Sequence, residues 1–374
     1  MNFKKNLYAV LEFLEKNICE THMAETQARH VAALCFDENA SPVMQAYFSP
    51  EGLDPYVYAE TYNNMEKMLY NELLACVSSV MSRDDGILGI RADYGVGTLP
   101  SLFGTADRIT VDNLKPWTDP LPPGKLQATV KKGVPNLSNG SGAKVYETYS
   151  YYSETLSAYP KCKKHIHLYH PDLQGPFDTA HLLAGNDIYY MLYDDPAMVH
   201  ELLHLVCETY ASFYKKLETF FTDRFVSGGK CYCYHFKHIF GGNILLRSDT
   251  AVNLSSAQYD EFVKPYDELL LAAFGGGSIH FCGRADQWIN NMFSTVSLRA
   301  INFGHMHKYD FGQRLLDHVY GDMTAYRVPV AAYFLDAAEI NGLDWNKYKT
   351  GVTYTHFTEG LDETKRLNEK LRSI

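Results

Sequence analysis

Residues 255–286 read SSAQYDEFVKPYDELLLAAFGGGSIHFCGRAD. Ser255 and Gln258 stand at the spacing of a capping box, so the stretch opens a helix. SIHFCG then reads as a strand, and RADQWINNMFST opens a further helix. On a strand, side chains at i and i+2 share a face, which puts His280 and Cys282 together at a strand end. That spacing admits two readings, a metal pair or a core histidine beside a small apolar thiol.

The same alternation continues in both directions. Upstream, HIHLYH (165–170) reads as a strand, the loop PDLQGPFD follows, and a helix begins near Thr179. The next helix runs from about Pro196 through Phe221 and opens with Asp195-Pro196, which suits N-cap and N1. Lys230 to Tyr234 reads as a strand, and NILLRSDT (243–250) as another apolar segment. Downstream come the strand SLRAINFGH, the helix DFGQRLLDHVYGD, the strand VPVAAYFLD, a last strand TGVTYTH (350–356) and the closing helix LDETKRLNEKL. Strands separated by helices argue for parallel βα units, and several in succession argue for a closed barrel or a doubly wound sheet. No dinucleotide fingerprint marks a doubly wound crevice. The expected fold is therefore α/β, a (β/α)8 TIM barrel over residues 83–374, preceded by an N-terminal helical extension over residues 1–82. A strand is expected at Gly86 to Arg91, a glycine-spaced loop at ADYGVGTLPSLFG, and a long connection with a central helix from Asn113 to Gly142. Such a barrel places its chemistry at the C-terminal ends of strands, where His170, Asp249, Cys282, His305 and His356 fall.

With 374 residues, 46% apolar and 21% charged, the chain has globular composition. No segment approaches the run of roughly 20 apolar residues that a membrane helix needs. Glu12 and Glu15 interrupt the apolar start, which reads as an amphipathic helix rather than a secretory leader. Eight scattered cysteines lack the density of a disulfide scaffold, so a reducing cytoplasm is expected. A net charge of −10 with no basic run argues against nucleic acid and for a small-molecule substrate.

Several side chains carry two readings. Asp249 ends an apolar strand and serves either as a substrate contact or as a helix-start partner. His165 and His167 share one strand face, whereas His170 faces the other way at the C-terminal end and is the pocket candidate of the three. Cys231, Cys233, His235 and His238 form the densest ligand cluster, at a spacing that fits no standard zinc module. Tyr149, Tyr151 and Tyr152, with Trp117 upstream, would line a pocket for a flat cofactor or belong to a surface loop packed on the barrel.

The segments QGPFDTAHLLAG, ILLRSDTAVNLSSAQYDEFVKPY and IHFCG resemble the uroporphyrinogen decarboxylase superfamily. The resemblance runs from roughly Gly86 to the C-terminus, is clearest from Asp172 to Gly283 and is weak over the first 80 residues. That superfamily is built on a (β/α)8 barrel. It contains tetrapyrrole decarboxylases and zinc-dependent methyltransferases that move methyl groups between corrinoid proteins, coenzyme M or methoxylated substrates. In the methyltransferase branch an H-x-C pair and a distant cysteine bind zinc, and His280 and Cys282 match the pair. The distant cysteine is missing. Where it would stand, the chain reads GVTYTHFTEGLDE, so His356, or Glu359, takes its place. The arginine motif that holds tetrapyrrole carboxylates in the decarboxylase branch is absent, and Arg29 is the one arginine in the first 80 residues.

The resemblance thus implies a zinc- and corrinoid-linked methyltransferase in which His280, Cys282 and His356 hold zinc, Asp249 and His170 orient substrate, and Tyr151 and Trp117 contact a cofactor. Its implied partners are a small-molecule substrate and a corrinoid protein, and a homodimer is compatible with it. Metal-free decarboxylation of a tetrapyrrole or smaller acid, and a catalytically inactive ligand-binding barrel, are the alternatives.

Overall fold

The computed structural model describes residues 5–109, 117–304 and 315–374. Its strands, in chain order, are β1 (Met44–Tyr47), β2 (Gly89–Ile90), β3 (Ala106–Arg108), β4 (Trp117–Asp119), β5 (His167–Leu168), β6 (Arg224–Ser227), β7 (Lys230–His235), β8 (His238–Gly241), β9 (Leu245–Arg247), β10 (Gly277–Phe281), β11 (Leu298–Phe303), β12 (Val330–Phe334) and β13 (Val352–Phe357). Six of them form one sheet in the order β1-β13-β12-β11-β10-β9, and every pairing in it is parallel. β2 and β5 form a separate parallel pair. The α/β class is as expected, with parallel strands separated by helices.

Ile279 and Phe281 of β10 belong to the apolar core, where Phe281 meets Trp288 and Trp288 stacks on Tyr259 with ring centres 4.3 Å apart. The helix Pro196–Leu217 is fixed by Asp195, whose side chain accepts from Met198 N, and buries Val199, Leu202, Val206, Tyr210 and Phe213 along one face. The capping box of Ser255 and Gln258 forms and starts the helix Ser256–Phe262.

Four expectations are corrected. First, the 1–82 stretch is not wholly helical, because Met44–Tyr47 joins the main sheet beside β13. A four-residue strand whose partner lies about 310 residues away leaves no local period to read. Second, Lys230–His235 is a strand, but it lies in an antiparallel sheet of order β6-β7-β8 rather than among the parallel strands. The chain reverses at Phe236, which holds a left-handed φ of 52° without the Asn or Gly that usually marks such a turn. Third, His165 closes the helix Pro160–His165, and only His167–Leu168 of the expected strand pairs as a strand. Fourth, Tyr149, Tyr151 and Tyr152 lie on the helix Gly142–Ser157, not on a loop.

The β6-β7-β8 sheet packs against the end from which the parallel strands start. Ser278 Oγ, at the start of β10, donates to Gly241 O, and Ile87 N, just before β2, donates to Lys237 O. Lys237 is buried and its charge is met by Asp84 at 3.2 Å. Among the described residues no helix is long and apolar enough to cross a membrane.

Candidate metal centre and cavity

Three neighbouring strands each send one polar residue to the same side. Arg247 on β9 is in register with His280 on β10, which is in register with Asn302 on β11. In parallel strands in-register residues share a face, so these three form a row turned away from the core residues Ile279 and Phe281. Cys282 lies two positions beyond His280 and Asp249 two beyond Arg247, continuing the same face past the strand ends.

The result is a compact group. His280 Nε2 lies 3.4 Å from Cys282 Sγ and 3.5 Å from Asp249 Oδ1. Cys282 N also donates to Asp249 Oδ1 at 2.5 Å. Among the described residues, Asp249, His280 and Cys282 are the His, Cys, Asp or Glu trio whose ligand atoms all lie within 4.8 Å of one another. Asp249 is held from behind, because Asp178 accepts from Asp249 N at 2.7 Å and from Thr250 N at 2.8 Å. Burial, and then the Asp249 charge, push the Asp178 carboxyl well above the usual range.

Burial also lowers the His280 pKa, partly offset by Asp249, so the ring is neutral at physiological pH. The Cys282 thiol is pushed up to about 12, first by burial and then by the Asp249 charge. A neutral imidazole lone pair, a carboxylate and a thiol that loses its proton on coordination are the donor types of a zinc centre. The distances fit as well. Two ligand atoms roughly 2.0 to 2.3 Å from a tetrahedral ion are separated by about 3.3 to 3.7 Å. Both separations from His280 Nε2 fall in that window.

His280 and Cys282 of this group line a cavity of about 350 Å3 whose walls include Tyr47, Phe236, Phe303, Phe334 and Phe357 as well as Arg247. Tyr47 and Phe357, from β1 and β13, lie 5.6 Å apart, and Phe334 is 5.6 Å from Phe357. Phe236 comes from the β7-β8 turn and carries Arg91 over its ring at 5.0 Å. The Arg247 side chain is 7% exposed. Its Nη1 meets Asp172 at 3.2 Å and its Nη2 donates to His235 Nε2 at 2.6 Å. Asp172 also pairs with the buried Arg91 at 3.1 Å.

Of the other sequence candidates, His235 and His238 line this cavity without joining the trio, and the rest fall elsewhere. His356 is buried and bonds Leu335 O through Nδ1 at 2.7 Å. Its neighbours Thr355 and Phe357 line the cavity, and strand alternation turns His356 to the opposite face. Asp249, expected to orient substrate, takes the third place in the trio instead. His170 is not on the cavity wall. It stacks on His235 at 5.0 Å, and burial, then Arg247, lower its pKa to about 3. Trp117 is 70% exposed and lines a separate cavity with Pro120 and His181. Tyr151 is half-buried beside Tyr152, and the His280 cavity is lined by neither Tyr151 nor Trp117. Cys233 is buried in a small second core with Leu34 and Ile239, and His238 Nε2 bonds Thr355 Oγ1 at 3.0 Å. His305 lies outside the described residues. Arg247 and Asn302 escaped the sequence reading, although each is a polar residue directly after or between apolar ones, in ILLR and AINF. That interruption was the available signal.

No family model matches the chain, and no curated protein matches it. A solved structure of a methyltransferase from Methanosarcina mazei is similar in fold, with a TM-score of 0.63 over 93% of this chain and 98% of that chain. The two sequences are 14% identical over the match, so the likeness is one of fold.

Proposed function

We propose that this chain is a zinc-dependent methyltransferase of the uroporphyrinogen decarboxylase superfamily, with Asp249, His280 and Cys282 as its three protein ligands. The observation that carries the reading is the pair of donor separations at His280 Nε2, 3.4 Å to sulfur and 3.5 Å to oxygen, which match two edges of a tetrahedral zinc site. Three protein ligands leave a fourth position, the arrangement of a catalytic rather than a structural centre. The likeness in fold to a methyltransferase supports the same class. So do the eight parallel strands, six in one sheet and two in the other, which equal the strand number of a (β/α)8 barrel.

When bound, zinc holds an incoming thiol as its thiolate and so supplies a nucleophile at neutral pH. The chain's own residues do the rest. Asn302 aims His280, Asp178 holds the turn that carries Asp249, and the ring-lined cavity excludes water around the reacting sulfur. The methyl donor in this reading is a corrinoid, brought by a partner protein or bound as substrate, and the setting is cytoplasmic. Decarboxylation of an octa-anionic tetrapyrrole draws no support from the cavity. Its volume is near the lower end of the ~300 to 1,000 Å3 of small-molecule sites. Among its described lining residues Arg247 is the one guanidinium.

Metal analysis of protein purified without a metal-affinity tag tests the reading, followed by methyl transfer from methylcobalamin to a thiol. About one zinc per chain in the wild type, lost in His280→Ala together with transfer, is the expected result. A wild type that stays metal-free after zinc is added back overturns it.

A further inference from the structure

We propose that His200 and His204 of the helix Pro196–Leu217, with Glu261 of the helix Ser256–Phe262, form a second metal site, for a divalent ion of the zinc class, on the outside of the molecule. Neither histidine lines the His280 cavity, and nothing in this site depends on the reading given above.

Residues 200–204 read HELLH, a pattern by which one helix offers two imidazoles to one zinc ion. The pattern carries that meaning only on a helix, and Pro196–Leu217 is one, 22 residues long and capped by Asp195. Positions four apart stand one above the other on a helix face, so both rings leave it on the same side. They flank Tyr266, with ring centres 6.0 Å from it for His200 and 5.0 Å for His204, and Phe262 stacks on the His200 ring at 4.8 Å. The third donor comes from the neighbouring helix, where Glu261 Oε1 lies 3.6 Å from His200 Nε2. A nitrogen and an oxygen each roughly 2.0 to 2.2 Å from a tetrahedral ion are about 3.3 to 3.6 Å apart. Imidazole with carboxylate is a donor set that zinc accepts. Tyr266 sets the tautomer that such an ion needs. Its hydroxyl donates to His200 O at 3.5 Å, and His200 Nδ1 lies 2.7 Å from the same hydroxyl oxygen, so Nδ1 is the donor in that contact. In the neutral ring the Nε2 lone pair then faces a carboxylate oxygen. Two acceptors meet there with no proton between them, and a cation satisfies both. His204 is exposed and stands beyond the 4.8 Å spacing that marks the Asp249 trio, so it closes on the ion by turning its side chain. That movement and the exposure of Glu261 make the site looser than the trio. Its ion exchanges with solvent and is lost on gel filtration, so it adds nothing to the metal that purified protein carries.

Isothermal titration of zinc chloride into the full chain, stripped of metal with a chelator, tests the assignment by comparing wild type with His204→Ala. Wild type is expected to take up one zinc per chain more than His204→Ala, and that difference isolates this site whether or not the Asp249 trio binds. Glu261→Gln should weaken the added zinc by at least roughly tenfold, since loss of a ligand costs no less than loss of a ligand's supporting partner. Equal zinc counts in wild type and His204→Ala would overturn the site. Equal affinities in wild type and Glu261→Gln would overturn the place of Glu261 in it. His204 and Glu261 are both exposed, so neither substitution threatens the fold. Failure here is distinguishable from failure of the preceding proposal, because His280→Ala should remove the trio's zinc and leave this one.

Discussion

Asn302 decides which way His280 faces. Its Oδ1 lies 2.5 Å from His280 Nδ1, and its Nδ2 donates to Ala331 O at 2.7 Å. The amide cannot turn over without losing both bonds, so Nδ1 carries the ring proton and the Nε2 lone pair points at Asp249 and Cys282. Histidine ligands are commonly fixed through the far nitrogen in this way, at a value of about 10- to 100-fold in metal affinity. Asn302→Leu should therefore weaken zinc binding by about that factor. Competition against a chromophoric chelator measures it, with circular dichroism to confirm an unchanged fold.

The third ligand is separable by mutation. His356→Ala should keep zinc at wild-type occupancy, because His356 faces Leu335 O on the far side of β13. Asp249→Ala should lose it. Metal content of the two purified variants decides, and loss of zinc in His356→Ala alone would restore the histidine as ligand.

Gly304 follows β11, and a Cβ placed there would overlap Cys282 Sγ. Gly304→Ala should push the sulfur off its position and lower zinc affinity, while Gly342→Ala, where a Cβ meets nothing within 4 Å, should leave it unchanged. The same chelator competition compares them.

Asp267 gives a pH signature apart from the metal site. Burial raises its carboxyl to about 7, against the help of one hydrogen bond from Ser248 Oγ. Between about pH 4 and 7 the folded chain keeps a proton that the unfolded chain has released, so this group's contribution to stability falls as pH rises toward 7. In Asp267→Asn that loss disappears. The stability of the variant relative to wild type should therefore shift in its favour by roughly 2 kcal/mol between pH 5 and pH 8. Urea unfolding at both values measures it, and a difference independent of pH would refute the titration.

What the sequence disclosed was local or periodic. Ser255 and Gln258 announce a helix because a capping box is a contact within one turn. His280 and Cys282 share a face because alternation is built into a strand. The alternation that paired them also turns His356 away, since Thr355 and Phe357 face the cavity. Assigning that strand's faces required the sheet around it. Asn302 and Arg247 were hidden for the same reason, as their meaning lies in register with His280. The β7-β8 reversal was missed because Phe236 is an uncommon residue for a left-handed turn. β1 was missed because its partner is remote in the chain.

That remoteness bears on how the molecule is made. β1 pairs Met44 with Tyr354 across about 310 intervening positions. At about 5 to 20 residues per second, a ribosome takes roughly 15 to 60 seconds to reach the second strand after finishing the first. For that interval the segment MQAY has no β13 to pair with, and its open backbone groups are a template for other chains. Nascent protein should thus depend on holding factors late in synthesis, and translation stalled before residue 352 should yield aggregates even though every residue of the trio around His280 has already been made.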